Sequence, residues 1–498
     1  MFRLMLVSAF LVALFSCSPP RAPGSSGEEI YTVAREDRPN IIVIVVDDLR
    51  WDELGAAGHP YLETPHIDAL AQEGAYFTNA FHSVPLCSPN RACILTGQYP
   101  SRHGIIDNVA RNRMSHRLET FPITLHDDGY ETAFLGKWHM GNDPTPRPGF
   151  DTWMAIPGQG RTRDPEFFEG GEIRTYPGYI TDVITDRAVA IIRQEREAPF
   201  FLYIGHKAIH PDAVQLDDGS VDLSVPARYV PAPRHLGRYE DRVFPRRGNA
   251  VSSPEELIGK PALRRALEVK YSDEIMEIFG EEELDPGTRE ETIRRRAEMI
   301  LAVDDGVGRM VAALEDLGIL DKTVILFTSD NGFFYGEHNL SLERRLPYEE
   351  SIRSPLILRF PPVAEPGSRI EGLVASVDLA PSLLELAGAP IGDHIQGRSF
   401  VPLLLGRTET GRESVFVEFF TYENPFPWLV DMDYRAIRTR RYKYIHWVHH
   451  PEEGELYDLQ EDPLEMRNLI AEPGMRQVLQ ELRAEIREAA LHAIGLTE

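Results

Sequence analysis

Cysteine is scarce in this sequence: three among 498 residues, at positions 17, 87 and 93. That is too few for a disulfide framework. Cys87 and Cys93, six apart in one helical segment, are poorly placed to bond each other. Positive charge is also short. Lys and Arg number 52 against 78 Asp and Glu, a net charge of −26. Such a surface argues against nucleic acid held on a broad basic face, and an anionic substrate must be drawn by a local pocket because the whole-molecule field repels it. Gly and Pro stand at ordinary levels beside 42% hydrophobic residues. This excludes a collagen-like or disordered chain and allows one large domain or two of unequal size. No internal repeat is visible.

The N-terminus reads as an export signal. Arg3 precedes the apolar run Leu4 to Phe15, which is too short to span a bilayer as a helix. The run ends in Leu14-Phe15-Ser16-Cys17, which resembles the lipobox of bacterial lipoproteins. That resemblance implies lipid on Cys17 and a chain exported to face the periplasm or the cell surface, touching the membrane only through its anchor. The alternative is an ordinary cleaved signal with an incidental Cys17. Residues 17–37, rich in Pro, Gly, Ser and charge, read as a flexible tether.

Beyond residue 38, apolar runs alternate with helical patterns. "IIVIVVDD" places six β-branched residues before Asp47 and Asp48. "YETAFLGKWHMG" leads into Lys137 and His139, "PFFLYIGHKAIHPD" into His206, Lys207 and His210, and "KTVILFTSDNG" into Asp330 and Asn331. Continuous apolar runs suit strands buried on both faces. Helical periodicity falls at residues 67–73, 180–193 and 294–317. The prediction is an α/β fold: a large, mixed, mostly parallel sheet covered by helices on both faces. Ligands bind beyond the carboxyl ends of such strands. An Asp after a strand is commonly a turn former and a lone His commonly structural, but four such ends together point to a site. Residues 38–405 read as the catalytic domain, with 216–287 as an insertion or lid around the mouth. Residues 406–498 read as a smaller α+β subdomain, in which "RAIRTRRYKYIHWV" alternates like one exposed strand and a helix runs from 475 to about 493.

Cys87-Ser88-Pro89-Asn90-Arg91, followed by Leu95-Thr96-Gly97, resembles the signature of type I sulfatases, in the alkaline-phosphatase-like superfamily. The resemblance extends from about Arg38 to about Leu469. It implies that a maturation enzyme, either formylglycine-generating or of the anaerobic kind, oxidises Cys87 to formylglycine. One hydroxyl of the hydrated aldehyde attacks sulfur, and the other later expels sulfate. Pro89 suits the first turn of a helix, which places residue 87 at the positive helix end, and Arg91 stays charged to hold sulfate oxygens. Asp47, Asp48, Asp330 and Asn331 offer only oxygen, which favours a hard cation. The resemblance makes it one Ca2+ per chain, with residue 87 among its ligands. It also gives Lys137 the diol, His139 the base role in sulfate release and His210 the protonation of the leaving alcohol, and it sets His206 and Lys207 near the substrate.

One segment departs from the family pattern. Where a lysine commonly stands ahead of Tyr-Glu-Glu-Ser, this chain has Arg344, a substrate-binding candidate that holds its proton. Another formylglycine enzyme, a phosphodiesterase or phosphonate monoester hydrolase, remains an alternative, as does a non-catalytic glycan-binding lipoprotein. The stretch "GFDTWMAIPGQGRTRDPEFFEGGE" resembles pocket loops of bacterial glycan sulfatases similar to N-acetylglucosamine-6-sulfatase. The implied substrate is sulfated carbohydrate, and the acidic surface favours exo-action on oligosaccharides over attack within long polyanions.

Overall fold

The computed structural model describes residues 31–496, apart from 221, 223, 224, 226, 281–283 and 422–425. The signal segment, Cys17 and most of the tether lie outside the described residues.

The catalytic region is built from β1 (Asn40–Val46), β2 (Ala75–Phe81), β3 (Glu131–Lys137), β4 (Thr152–Ile156), β5 (Glu166–Glu169), β6 (Glu172–Thr175), β7 (Phe200–Gly205), β8 (Thr323–Ser329), β9 (Arg353–Arg359), β10 (Ser368–Ile370) and β11 (Val374–Ala375). These form one sheet in the order β10-β2-β9-β8-β1-β7-β3-β4-β5-β6, with β11 beside β2. The centre, β8-β1-β7-β3-β4, is parallel throughout. Antiparallel pairings come at β9 and at the β4-β5-β6 edge. The apolar run of β1 explains its central place. Ile41, Val43 and Val45 enter one hydrophobic core, while Ile42, Ile44 and Val46 enter the core on the other face. The helices Pro65–Gln72, Ile180–Ile192 and Glu290–Asp316 cover that second face.

A second sheet follows: β12 (Ser414–Phe419), β13 (Tyr434–Thr439), β14 (Tyr442–Trp447) and β15 (Glu455–Asp458), all antiparallel. Here the structure corrects the reading of 435–448 as one exposed strand. The segment is a hairpin of two largely buried inner strands. Thr439 makes the turn, its Oγ1 accepting from the Arg441 and Tyr442 amides at 3.3 and 2.8 Å, a local hydrogen bond of the kind that favours Thr in turns. The final helix, Arg476–Ala493, packs Leu479, Leu482 and Ile486 onto this sheet. Within 216–287, the helix Pro261–Lys270 gives Ala262, Leu263, Ala266 and Leu267 to the same core, and Phe279 meets Trp428 edge-on at 5.5 Å. That part of the segment braces the second sheet.

Candidate active site

Because β1, β3, β7 and β8 are parallel neighbours, their carboxyl ends share one edge. Asp47-Asp48, Lys137-His139, His206-His210 and Asp330-Asn331 follow them there. Two chain features close this edge tightly. A Cβ on Gly136 (φ +100°) would stand 2.0 Å from Gly205 O, and one on Gly205 would stand 2.9 Å from Arg91 Nη1. Only glycine at both positions lets β3, β7 and Arg91 approach so closely. Asp48 and His139 adopt left-handed backbone, φ +61° and +69°, a conformation that non-glycine residues hold mainly where function requires it.

The helix Cys87–Thr96 delivers Cys87 at its first position and ends on Gly97 in left-handed conformation. Asn108 Oδ1 accepts from the Ser88 amide, in the first turn of the helix, at 3.1 Å. Cys87 is fully buried. Its Sγ lies 3.6 Å from Asp47 Oδ1. Burial pushes the thiol far above its ordinary range.

Charged groups interlock around it. Lys137 Nζ donates to Asp47 Oδ2 and, at 2.7 Å, to Gln159 Oε1. Arg91 donates from Nε to Asp330 Oδ2 at 2.8 Å and from Nη1 to Lys137 O at 2.7 Å, while its buried Nη2 has no partner. Burial works against the Arg91 charge, but Asp330 and Asp47 outweigh it. Arg344 Nε lies 3.0 Å from Asp48 Oδ1, and its Nη2 donates to His210 Nε2 at 3.2 Å. Since His210 Nδ1–H donates to Pro211 O at 2.8 Å, this histidine is neutral; burial, then Lys137 and Arg344, hold its pKa well below the usual value.

Ligand atoms of Asp47, Asp48, Cys87 and Asp330 lie within 4.8 Å of one another. Burial, then Asp330, raises the Asp47 carboxyl, a sign of crowded negative charge. Asp48 Oδ2 and Asn331 Oδ1 are buried without partners. Orphaned oxygens in an oxygen-rich cluster fit a hard divalent cation held by Asp47, Asp48, Asp330 and Asn331.

One expected substrate contact, Lys207, is already fully bonded within the chain. Lys207 donates to Pro211 O at 2.7 Å and His210 O at 3.2 Å and lies 3.1 Å from Asp212 Oδ1. An ammonium has three N–H groups, so none is left for a substrate. His206 is buried with both ring nitrogens unpartnered, and burial and Arg91 lower its pKa to about 4. The sequence reading missed Gln159, Gln215 and Arg296. Arg296 donates to Asp48 O at 2.7 Å and so fixes the strained backbone there. Gln159 lies three residues past the carboxyl end of β4, a strand parallel to β3, so the strand-end rule could have found it. Gln215 carries no such signal.

Residues 39–389 match the family model described as Sulfatase, and residues 336–492 the one described as N-sulphoglucosamine sulphohydrolase, C-terminal. The chain is 30% identical to an N-acetylglucosamine-6-O-sulfatase of Bacteroides thetaiotaomicron, across 97% of this chain and 90% of that protein. It is 26% identical to an ulvan-active sulfatase of Formosa agariphila, across 93% and 84%. A solved structure in complex with its substrate D-glucosamine-2-N,6-O-disulfate is 30% identical, with a TM-score of 0.76 over 92% of this chain and 98% of that one. A phosphonate monoester hydrolase of Agrobacterium radiobacter, 23% identical, shares the fold at a TM-score of 0.71 over 91% of this chain and 96% of that one. With the strand-end cluster and the match over most of its length, the chain belongs to the sulfatase family: it is a sulfuric ester hydrolase on an alkaline-phosphatase-like fold.

Proposed function

We propose that this enzyme removes sulfate from sulfated carbohydrate, with formylglycine made from Cys87 as nucleophile and Ca2+ in the Asp47, Asp48, Asp330, Asn331 cluster. The observation that carries this reading is the position of Cys87: first in a helix, 3.6 Å from Asp47, with the unpaired Arg91 N–H one turn along. The glycan substrates named for the relatives support the carbohydrate. The bound cation supplies charge to polarise the ester and acidify the attacking hydroxyl. Arg91 Nη2 is the free donor for a sulfate oxygen, and Lys137 holds Asp47 in place. His139 takes the proton that releases sulfate from the sulfo-enzyme. For His210 to protonate the leaving alcohol, substrate must displace the Arg344 N–H from Nε2, and Nε2 must first take up a proton, because the ring carries its one proton on Nδ1.

Exo-action on short oligosaccharides fits the acidic surface. We also propose that Cys17 carries lipid and holds the enzyme at the membrane, facing the periplasm or exterior. The test is to co-express the chain with a maturation enzyme, weigh the Cys87 peptide and measure sulfate release from a panel of sulfated mono- and disaccharides. The expected result is an aldehyde mass and release from a glucosamine 6-sulfate. Preference for phosphate diesters or phosphonates would assign the alternative activity. A retained thiol after co-expression, with no hydrolysis, would leave a glycan-binding protein.

A further inference from the structure

Lys137 and His139 are joined by two amides. The Lys137 ammonium can only donate, so Gln159 presents Oε1 to it at 2.7 Å and its Nε2 is the donor end. That Nε2 donates to Gln215 Oε1 at 2.8 Å. Gln215 is oriented independently, because its own Nε2 donates to Gly219 O at 2.9 Å. Its Oε1 is therefore an acceptor, and it meets His139 Nε2 at 2.8 Å. The two anchors, the Lys137 ammonium and the Gly219 carbonyl, cannot reverse polarity, so the amide orientations follow from the bonding. A hydrogen must sit on His139 Nε2, and the lone pair of the neutral ring is left on Nδ1. Nδ1 is buried and has no partner.

The surroundings are built to keep this arrangement. Gln215 opens a turn in the long segment that follows β7. The Ala110 amide donates to Asp217 O at 2.9 Å, Asn142 Nδ2 donates to Asp217 Oδ1 at 3.0 Å, and the Leu216 amide donates to Ser220 O at 2.8 Å. On the other side, Ser88 Oγ donates to His139 O at 2.7 Å, tying the histidine backbone to the residue after Cys87.

We propose that Gln159 and Gln215 are positioning residues that hold His139 as its Nε2–H tautomer, making Nδ1 the atom that accepts the proton when sulfate leaves. This rests on the reading of His139 as the base. In that step the free hydroxyl on residue 87 gives its proton to Nδ1. Its O–H electron pair becomes the second C=O bond, and the C–O bond to sulfate breaks with its pair departing on sulfate. Gln215 Oε1 continues to accept from Nε2–H throughout, so the imidazolium forms without any rearrangement.

The first measurement is nitrogen NMR of histidine-labelled Cys87→Ser protein, with the His139 signals assigned by difference from a Cys87→Ser, His139→Ala double variant. A protonated Nε2 beside an unprotonated Nδ1 is expected; the opposite pattern overturns the proposal. The second uses matured enzyme. Gln215→Leu is expected to lower kcat by roughly 10- to 100-fold with little change in KM. Gln215→Glu, which can still accept, is expected to restore most of kcat and to move the acid limb of the pH profile upward, because a carboxylate favours the imidazolium. Wild-type kcat and an unchanged pH profile in Gln215→Leu overturn the proposal. Wild-type turnover in His139→Ala would instead remove the base assignment beneath it. If Gln215→Leu does not fold, the NMR pattern of the otherwise unaltered loop decides.

Discussion

The carboxyl ends of β1 and β8 and the seam between the two sheets both bury many charges, but they leave different atoms unsatisfied. In the seam, Glu455 accepts from Lys260 at 3.3 Å, Tyr348 at 3.0 Å and Trp447 at 3.2 Å. Lys443 lies 2.9 Å from Glu349 and 2.7 Å from Glu465 and donates to Pro347 O at 3.1 Å. Most charge there meets charge within the chain, although Glu350 Oε2, Asn249 Oδ1 and His338 Nδ1 are buried without a hydrogen-bond partner. At the strand ends, acceptors are spare on Asp48 Oδ2 and Asn331 Oδ1, and a donor is spare on Arg91 Nη2. Spare acceptors call for a cation and a spare guanidinium N–H for an anion. Burial of charge does not by itself mark a site; spare carboxylate and amide oxygens beside a spare guanidinium N–H do.

The largest expected effect separates the two regions by activity alone. Cys87→Ala removes the nucleophile and is expected to cost on the order of 10⁴-fold or more in kcat. The melting temperature is expected to change little, since the thiol makes one long hydrogen bond, to Asp47, and belongs to none of the large hydrophobic cores. A collapse in stability would make Cys87 a packing residue like those of the seam.

The next effect is on metal. One bound Ca2+ per chain is expected by elemental analysis in the wild type, none in Asp330→Asn and one in Glu465→Gln. Activity of Asp330→Asn is expected to fall by roughly 10³-fold, the several kcal/mol a Lewis acid supplies. The seam trio His338, Glu350 and Glu465 also brings ligand atoms together, but Arg247 stands 3.1 Å from Glu350 and Lys443 beside Glu465. Two ions per wild-type chain, with one lost in Glu465→Gln, would break the comparison.

The strand ends were legible because backbone geometry made them so. A run such as residues 41–46, apolar and β-branched at every position, favours a doubly covered strand, and parallel strands put their following residues on one edge. Arg344 was found at the site although its segment departs from the family pattern, since the neighbouring Tyr-Glu-Glu-Ser fixed its place. Of the relay residues, Gln159 was within reach of the strand-end rule, but Gln215 was not legible. Gln215 lies in a segment without periodicity, and its role depends on a loop held by Ala110 and Asn142, distant in sequence. The hairpin at Thr439 was missed for a related reason: arginines at the turn continue the alternation, so only the Thr439 hydroxyl marks it.

A smaller effect tests the seam by pH. Glu349 and Glu465 share Lys443. Burial opposes the Glu349 charge, but Arg438 and Lys443 hold its pKa low; burial pushes Glu465 up to about 7. The unfolded value is 4.5, so between these values the folded state binds a proton that the unfolded state has lost. This contribution to stability is present at pH 4.5 and is lost as pH rises through 7. Urea unfolding at pH 5 and pH 7.5 is expected to show it, and Glu465→Gln, a mimic of the protonated form, is expected to flatten the difference. An identical pH dependence in both proteins would mean that Glu465 is ionised and paired at both values.

The smallest expected effect concerns Lys207, which stands at the strand-end edge yet is bonded like a seam residue. Its three acceptors, Pro211 O, His210 O and Asp212 Oδ1, account for its three N–H groups. Its work is to hold the turn that carries His210. Lys207→Met keeps the buried stem and removes the charge. Asp212 is then not stranded, because its side chain is 32% exposed and Thr162 donates to it from both N and Oγ1. The lost hydrogen bonds are expected to cost about 1–3 kcal/mol, seen as a melting temperature lower by a few degrees. KM for a sugar sulfate is expected to stay within about two-fold, because a group with no free N–H contributes no substrate binding to lose. A tenfold rise in KM at unchanged melting temperature would return Lys207 to the substrate pocket. It would also show that a fully paired charge at the strand ends can exchange its partners for substrate, which no seam lysine is expected to do.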